Sequence, residues 1–180
     1  MKALLYWLTG FLPCRIISDG DRPYLERYYL CTLFNVRFYL HRFVDSDPGR
    51  GLHDHPWPWA ASIVLSGWYY EETRTGTSKV RWFNWLTGDS FHRVVLPTER
   101  IRLLLNDQWE GDWVAVRQPC WTLFFHRAAN VKPWGFLHPM DRSPNVVVWM
   151  PHNYPNDGAS TSSTWWNEVP IGKLQTRRQP

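Results

Sequence analysis

Gly51-Leu52-His53-Asp54-His55-Pro56-Trp57, taken with Gly88-Asp89-Ser90-Phe91-His92-Arg93-Val94, organises the rest of this chain. Side chains of an extended strand alternate with a period of two, so His53 and His55 share one face and offer two imidazoles to one metal. Asp54 then points the other way. Pro56 removes a backbone donor just after the pair, and the segment reads as a strand running into a bend. A third ligand must come from elsewhere, and His92 on a later strand is the candidate.

Outward from the histidines the chain reads as short strands. Arg37, Tyr39, His41 and Phe43 alternate with Phe38, Leu40, Arg42 and Val44, and the Asp45-Ser46-Asp47-Pro48-Gly49 cluster turns the chain. After the proline bend, Ala60 to Ser66 is a buried run closed by Gly67; Glu71 and Glu72 read as a solvated strand end, or as a carboxylate for the site if that strand turns inward. Thr75-Gly76-Thr77 is a hairpin turn into Lys79 to Trp85, and Thr87-Gly88-Asp89 turns again before His92 to Leu96. A polar stretch from Asn106 to Gln118 interrupts this antiparallel meander, which Cys120 to His126 and Asn145 to Trp149 resume. Strands spaced by about 8 to 12 residues predict a closed sandwich or barrel, in practice a jelly roll.

The ends of the chain read differently. Met1 to Pro13 is an apolar run too short to span a bilayer, with no small-residue cleavage site, and is expected to form a short helix packed on the domain; interfacial membrane contact is the alternative. Asp21, Pro23 and Glu26 carry helix-start signals, predicting a second helix over about 22 to 31 that carries Arg27. Residues 158–164 read as a flexible linker before Trp165-Trp166, which is expected to dock on the body or on a second subunit, so that a homodimer is admitted. The expected organisation is a helical segment over 1–35, a barrel over 36–155 and a flexible tail over 156–180.

At 180 residues, 44% apolar and 17% aromatic, the chain suits one domain with a real core. The net charge of +4 comes from scattered basic residues, with one small cluster at Lys173, Arg177 and Arg178, and gives no strong nucleic-acid signal. Cys14, Cys31 and Cys120 have neither disulfide-framework nor zinc-site spacing, so a reducing cytoplasm is expected.

The pattern of His53-x-His55, the strand-ending Gly67 and the later His92 resembles the cupins, small jelly-roll barrels that usually hold a metal; the resemblance covers roughly residues 36 to 127. It implies a mainly β, single-domain cupin-type barrel with short N-terminal helices. The usual cupin glutamate falls on Ala60. The chain is closer in pattern to the cysteine and thiol dioxygenases, which also read His-Asp-His with a non-acidic residue at that position and carry a His-Arg-Val like His92-Arg93-Val94. In that family a substrate-carboxylate arginine precedes the first ligand by the separation between Arg27 and His53. Its last-strand Ser-x-His-x-Tyr pattern falls here on Thr122-x-Phe124-x-His126, and the cysteine that cross-links to its tyrosine falls on Ala60.

Three neutral imidazoles suit Fe(II), favoured here, or Zn(II), Ni(II) or Cu(II); zinc with a bound water would favour hydrolysis or isomerisation. The reading is an iron-dependent cupin dioxygenase acting on a small thiol- or carboxylate-bearing molecule. His53, His55 and His92 hold the metal, and Arg27 and His126 flank the substrate as catalytic candidates. The rival is a non-catalytic cupin, a ligand-binding or interaction module. The two differ in whether polar groups other than the three ligands converge on the metal. His41, His138 and His152 read as structural or exposed.

Overall fold

The computed structural model describes residues 1–102, 104–105, 108–109, 113–140, 143–152 and 164–179; the expected linker at 158–163 lies outside them. One helix, α1 (Lys2–Thr9), precedes the strands. They are β1 (Cys14–Asp19), β2 (Arg22–Leu33), β3 (Val36–Phe43), β4 (Leu52–His53), β5 (Trp59–Ser66), β6 (Tyr69–Thr73), β7 (Gly76–Val80) and β8 (Phe83–Thr87). There follow β9 (His92–Val95), β10 (Thr98–Ile101), β11 (Leu104–Leu105), β12 (Gln108–Trp109), β13 (Val114–Arg117), β14 (Cys120–Arg127), β15 (Gly135–Met140) and β16 (Ser143–Pro151). One six-stranded antiparallel sheet runs β1-β2-β3-β14-β5-β8, the other β16-β15-β4-β9-β6-β7, and β10-β13 and β11-β12 are two-stranded ribbons.

The two large sheets face one another, since side chains of both line one cavity. They do not close into the expected barrel: no ladder joins their edges among the described residues. β7 and β8 are separated only by Arg81 and Trp82 yet belong to different sheets, so the chain turns a corner there instead of closing a hairpin. Large inward side chains, among them Tyr39, Trp57, Phe124 and Trp134, line the cavity between the sheets.

The helix expected over 22–31 is a correction: Arg22–Leu33 is strand β2, and α1 is the single α-helix among the described residues. Tyr24, Tyr28, Tyr29 and Thr32 favour extended backbone, and β1 and β3 supply hydrogen-bonding partners on both sides. The helix-start signals serve a hairpin instead. Gly20, at φ +57, turns the chain, and Pro23 lies beside the bulge at Ile17 and Ser18, where a missing N–H is tolerated.

Three groups of buried apolar residues hold the layers together. Leu25, Phe43, Val64, Tyr69, Val94 and Leu96 join the sheets at one end of the cavity; Tyr39, Ala60, Leu86, Phe124 and Trp165 pack at the other. Leu5, Tyr6 and Leu12 cover Cys14, Tyr28 and Trp121 on the outer face. Residues 164–179, within the segment expected as a tail, dock on the body. Trp165 is buried beside Tyr39, Trp166 stacks on Tyr29 at 4.0 Å, and Ile171 bridges to Pro13. Cys14, Cys31 and Cys120 are all free thiols. No helix among the described residues is long and apolar enough to cross a membrane.

Candidate metal centre

The expected convergence of His53, His55 and His92 is present. A ligand-capable nitrogen from each lies within 4.8 Å of the others, with His92 buried and His53 and His55 half-buried. His53 and His92 are direct partners across the β4–β9 ladder, which places the two rings side by side with centroids 4.8 Å apart. His55 sits just past the end of β4, which is shorter than the sequence pattern suggested, and reaches the same point from the bend before Trp59. Its Nε2 lies 2.9 Å from Nε2 of His92. Two nitrogens each about 2.1 Å from one ion, at a right angle, would be about 3.0 Å apart, so the spacing fits a shared metal.

Two features behind the histidines fix this loop. Gly51 has φ +99, and a Cβ there would lie 2.1 Å from the Leu137 carbonyl oxygen, so only glycine permits the approach to β15. Asp54 faces away from the cluster as expected: it accepts from the Gly135 N–H at 2.6 Å and from Lys132 Nζ at 2.7 Å. Burial first, and neighbouring cationic and imidazole groups second, hold His53 and His55 well below the ordinary histidine pKa. Both enter as neutral imidazoles, the state a metal requires.

Glu71 follows the inward alternative and not the solvated strand end: it is buried, its Oε1 lies 2.8 Å from His92 Nδ1, and it stands behind the ligand group rather than in it. Burial alone would raise its pKa; the bonds and charge from His92 and the hydrogen bond from Asn84 outweigh it and hold Glu71 below the usual carboxylate value. As an acceptor-only carboxylate it takes the Nδ1 proton of His92, which leaves Nε2 as the ligand atom. Asn84 Nδ2 donates to Glu71 at 2.5 Å and to Tyr69 Oη at 3.3 Å, fixing the carboxylate in turn.

The cluster opens into a cavity of about 690 Å³, whose other polar lining includes Arg27, His41, Thr122 and His126. β2, β3, β14 and β5 present these in register: Arg27 opposite His41, His41 opposite Thr122, and Arg37 opposite His126, which lies opposite Ala60. Arg27 Nε donates to His41 Nε2 at 3.1 Å. Burial, then Arg27 and His126, hold His41 well below its ordinary pKa, so it accepts as a neutral ring. His126 is buried, stacked at 3.6 Å on Trp57, which also stacks on His55 at 5.0 Å. Its Nδ1 donates to the Arg127 carbonyl oxygen at 2.6 Å, and burial pushes its pKa down to about 3. His126 is therefore inward but not part of the ligand group. Thr122 Oγ1 is buried with no hydrogen-bond partner.

Among the described residues, Arg15, Arg27, Arg37, Arg50 and Lys132 line this cavity with one carboxylate, Asp47, which burial makes harder to ionise; Lys132 pairs with Asp54 and Asp89, and Arg50 with Asp19, none of which is in the lining. His41, read as structural or exposed, is the cavity residue the sequence reading missed. Its signal was the alternation Arg37-x-Tyr39-x-His41-x-Phe43, all four of which line the cavity. His152, also read as structural, lines it too.

Solved structures of low identity are similar to this chain. The chain resembles cupins. A cupin-2 domain from Rhodospirillum rubrum is similar with 12% identity and TM-score 0.49, over 73% of this chain and 78% of that one. A cupin-like protein from Thermotoga maritima has 14% identity and TM-score 0.42, over 67% and 82%. A cupin-2 domain protein from Shewanella frigidimarina has 10% identity and TM-score 0.39, over 55% and 76%. No protein-family model matches the chain, and no curated protein does. The assignment of the site rests on its own geometry.

Proposed function

We propose that this chain is a metal-dependent cupin enzyme, a non-haem iron dioxygenase acting on a small anionic molecule that bears a carboxylate or a thiol. The observation that carries the reading is the convergence of groups beyond the three ligands. Arg27, His41 and His126 line the cavity into which His53, His55 and His92 open, as an enzyme requires and a module with incidental metal does not. Neutral His53 and His55 and the Glu71-oriented His92 fit a divalent ion. Fe(II) held there would supply reaction with dioxygen and positions for a donor atom of the substrate.

The chain's own residues do the rest. Arg27 receives the anionic end of the substrate through its planar fork, and the bond from its Nε to neutral His41 sets the plane of that fork. Trp57 and Phe124 wall the cavity against water. His126, with its Nδ1 proton committed to the Arg127 carbonyl, presents Nε2 as the atom that takes a proton, and the negative charge of a bound substrate raises its basicity from the low value that burial sets.

The test is oxygen uptake by Fe(II)-loaded protein over a panel of small thiols and carboxylates, with product analysis for oxygen insertion. Uptake with an anionic substrate, abolished in His92→Ala and reduced about 100-fold or more in kcat/KM by Arg27→Ala, is the expected result. Uptake that survives His92→Ala places the reaction elsewhere, and no uptake with any compound leaves the non-catalytic reading.

A further inference from the structure

Helix α1 is apolar on two faces, and the body covers only one. Leu5, Tyr6 and Leu12 pack against the outer face of the β1-to-β8 sheet. Leu4, Trp7, Leu8 and Phe11, which follow one another at helical spacing, are 59%, 60%, 44% and 52% exposed. Trp7 and Phe11 meet edge to face at 5.2 Å, so the stripe is a continuous aromatic and aliphatic surface.

The charges around this stripe have one sign. Residues 1–18 contain no Asp or Glu, and neither do residues 169–179, which dock against α1. Lys2 stands exposed on the helix, and Lys173 holds its Nζ 5.1 Å from the Phe11 ring while its N–H donates to the Gly10 carbonyl. Arg177 lies over the Tyr6 ring but turns its guanidinium inward, donating to the Tyr6 carbonyl, to Thr9 Oγ1 and to Tyr28 Oη, which itself bonds Glu26, so the cations left at the stripe are Lys2 and Lys173. Apolar and aromatic side chains framed by cations are what the interface of an anionic bilayer accepts.

We propose that the Leu4–Phe11 stripe seats the protein on an anionic lipid surface, with Lys2 and Lys173 against the headgroups. A second copy fits this face poorly, because self-pairing would bring the same cations together. The exposed outer patch of Ile63, Phe83 and Trp85 on the other half of the sheet is apolar and has Lys79 and Arg81 beside Phe83, so it serves as the internal control for which apolar face engages the lipid.

Full-length protein is sedimented with phosphatidylcholine vesicles and with mixed phosphatidylcholine–phosphatidylglycerol vesicles. Binding to the mixed vesicles only is expected. It should weaken about fivefold in Lys173→Gln, fall about tenfold or more in Trp7→Ser/Phe11→Ser, and stay unchanged in Phe83→Ser/Trp85→Ser. Lys173→Gln is a surface change that leaves folding intact, so the charge contribution is readable even where the double variant folds poorly. Equal binding to both vesicle types, binding indifferent to Lys173→Gln, or sedimentation with neither overturns the proposal, the last in favour of an acidic protein partner for the same face.

Discussion

Two polar pairs sit one residue apart on the same two strands and do opposite things. Glu26 is the ladder partner of Arg42, and Arg27 of His41. The first pair faces α1 and the C-terminal segment, and both side chains are 1% exposed. Glu26 accepts from Arg42 Nη1 at 3.2 Å, from Tyr28 Oη at 2.6 Å and from the Arg178 N–H at 2.8 Å, while Arg42 also donates to the carbonyls of Arg178 and Gln179. Charge there is matched by opposite charge, and the result is a fastening that ties the C-terminal segment to the sheet. The second pair faces the cavity, where Arg27 Nε donates to His41, a neutral imidazole. Within one period-two alternation, the outward set fastens the chain and the inward set lines the cavity.

The comparison breaks if the two pairs respond alike to substitution. Glu26→Ala leaves Arg42 buried without its carboxylate and should cost about 3–5 kcal/mol in urea denaturation, whereas Arg27→Ala should cost a small fraction of that while removing substrate binding. Equal losses from the two would refute the division.

Glu71 sharpens it at the metal. Glu71→Gln keeps the shape but weakens the acceptor that orients His92, and divalent-ion titration should show affinity lower by about 10–100-fold. Its neighbour Glu72 pairs instead with Arg93, so Glu72→Gln should leave affinity unchanged.

The smallest expected effect is on acid stability. His126 and His41 are held neutral by burial, with pKa values below the unfolded 6.5, so below that pH the unfolded chain binds protons that the folded chain does not. Stability should therefore fall as pH drops from 6.5, by about 1 kcal/mol per such histidine at pH 5.5, and for His126 the loss continues toward its folded value near 3. Replacing His126 by Phe should flatten the decline. An unchanged slope would mean that His126 titrates normally in the folded protein.

The sequence carried the parts of this site that depend on short periodicities. His53 on a strand, Asp54 turned away, Gly67 at a strand end and His92 on a later strand follow from alternation and turn chemistry, whereas His55 reaches the same point from the bend after β4 and not from the strand itself. What it could not carry were choices made by tertiary partners. Residues 22–31 have helix-start signals, but ladders to β1 and β3 override local preference. Glu71 reads as solvated or inward-turned until His92, from a strand paired beside β6, is seen to cover it. Barrel closure likewise depends on whether the edges of the two sheets pair, which no single strand reveals.

The most direct test of the account is the metal content of protein purified without a histidine tag, measured for the wild type and for His92→Ala. The account predicts a single divalent ion per chain in the wild type, lost in His92→Ala while the variant keeps its fold. Wild-type protein that takes up no divalent ion on titration, or a His92→Ala variant that holds metal as well as the wild type, would contradict it.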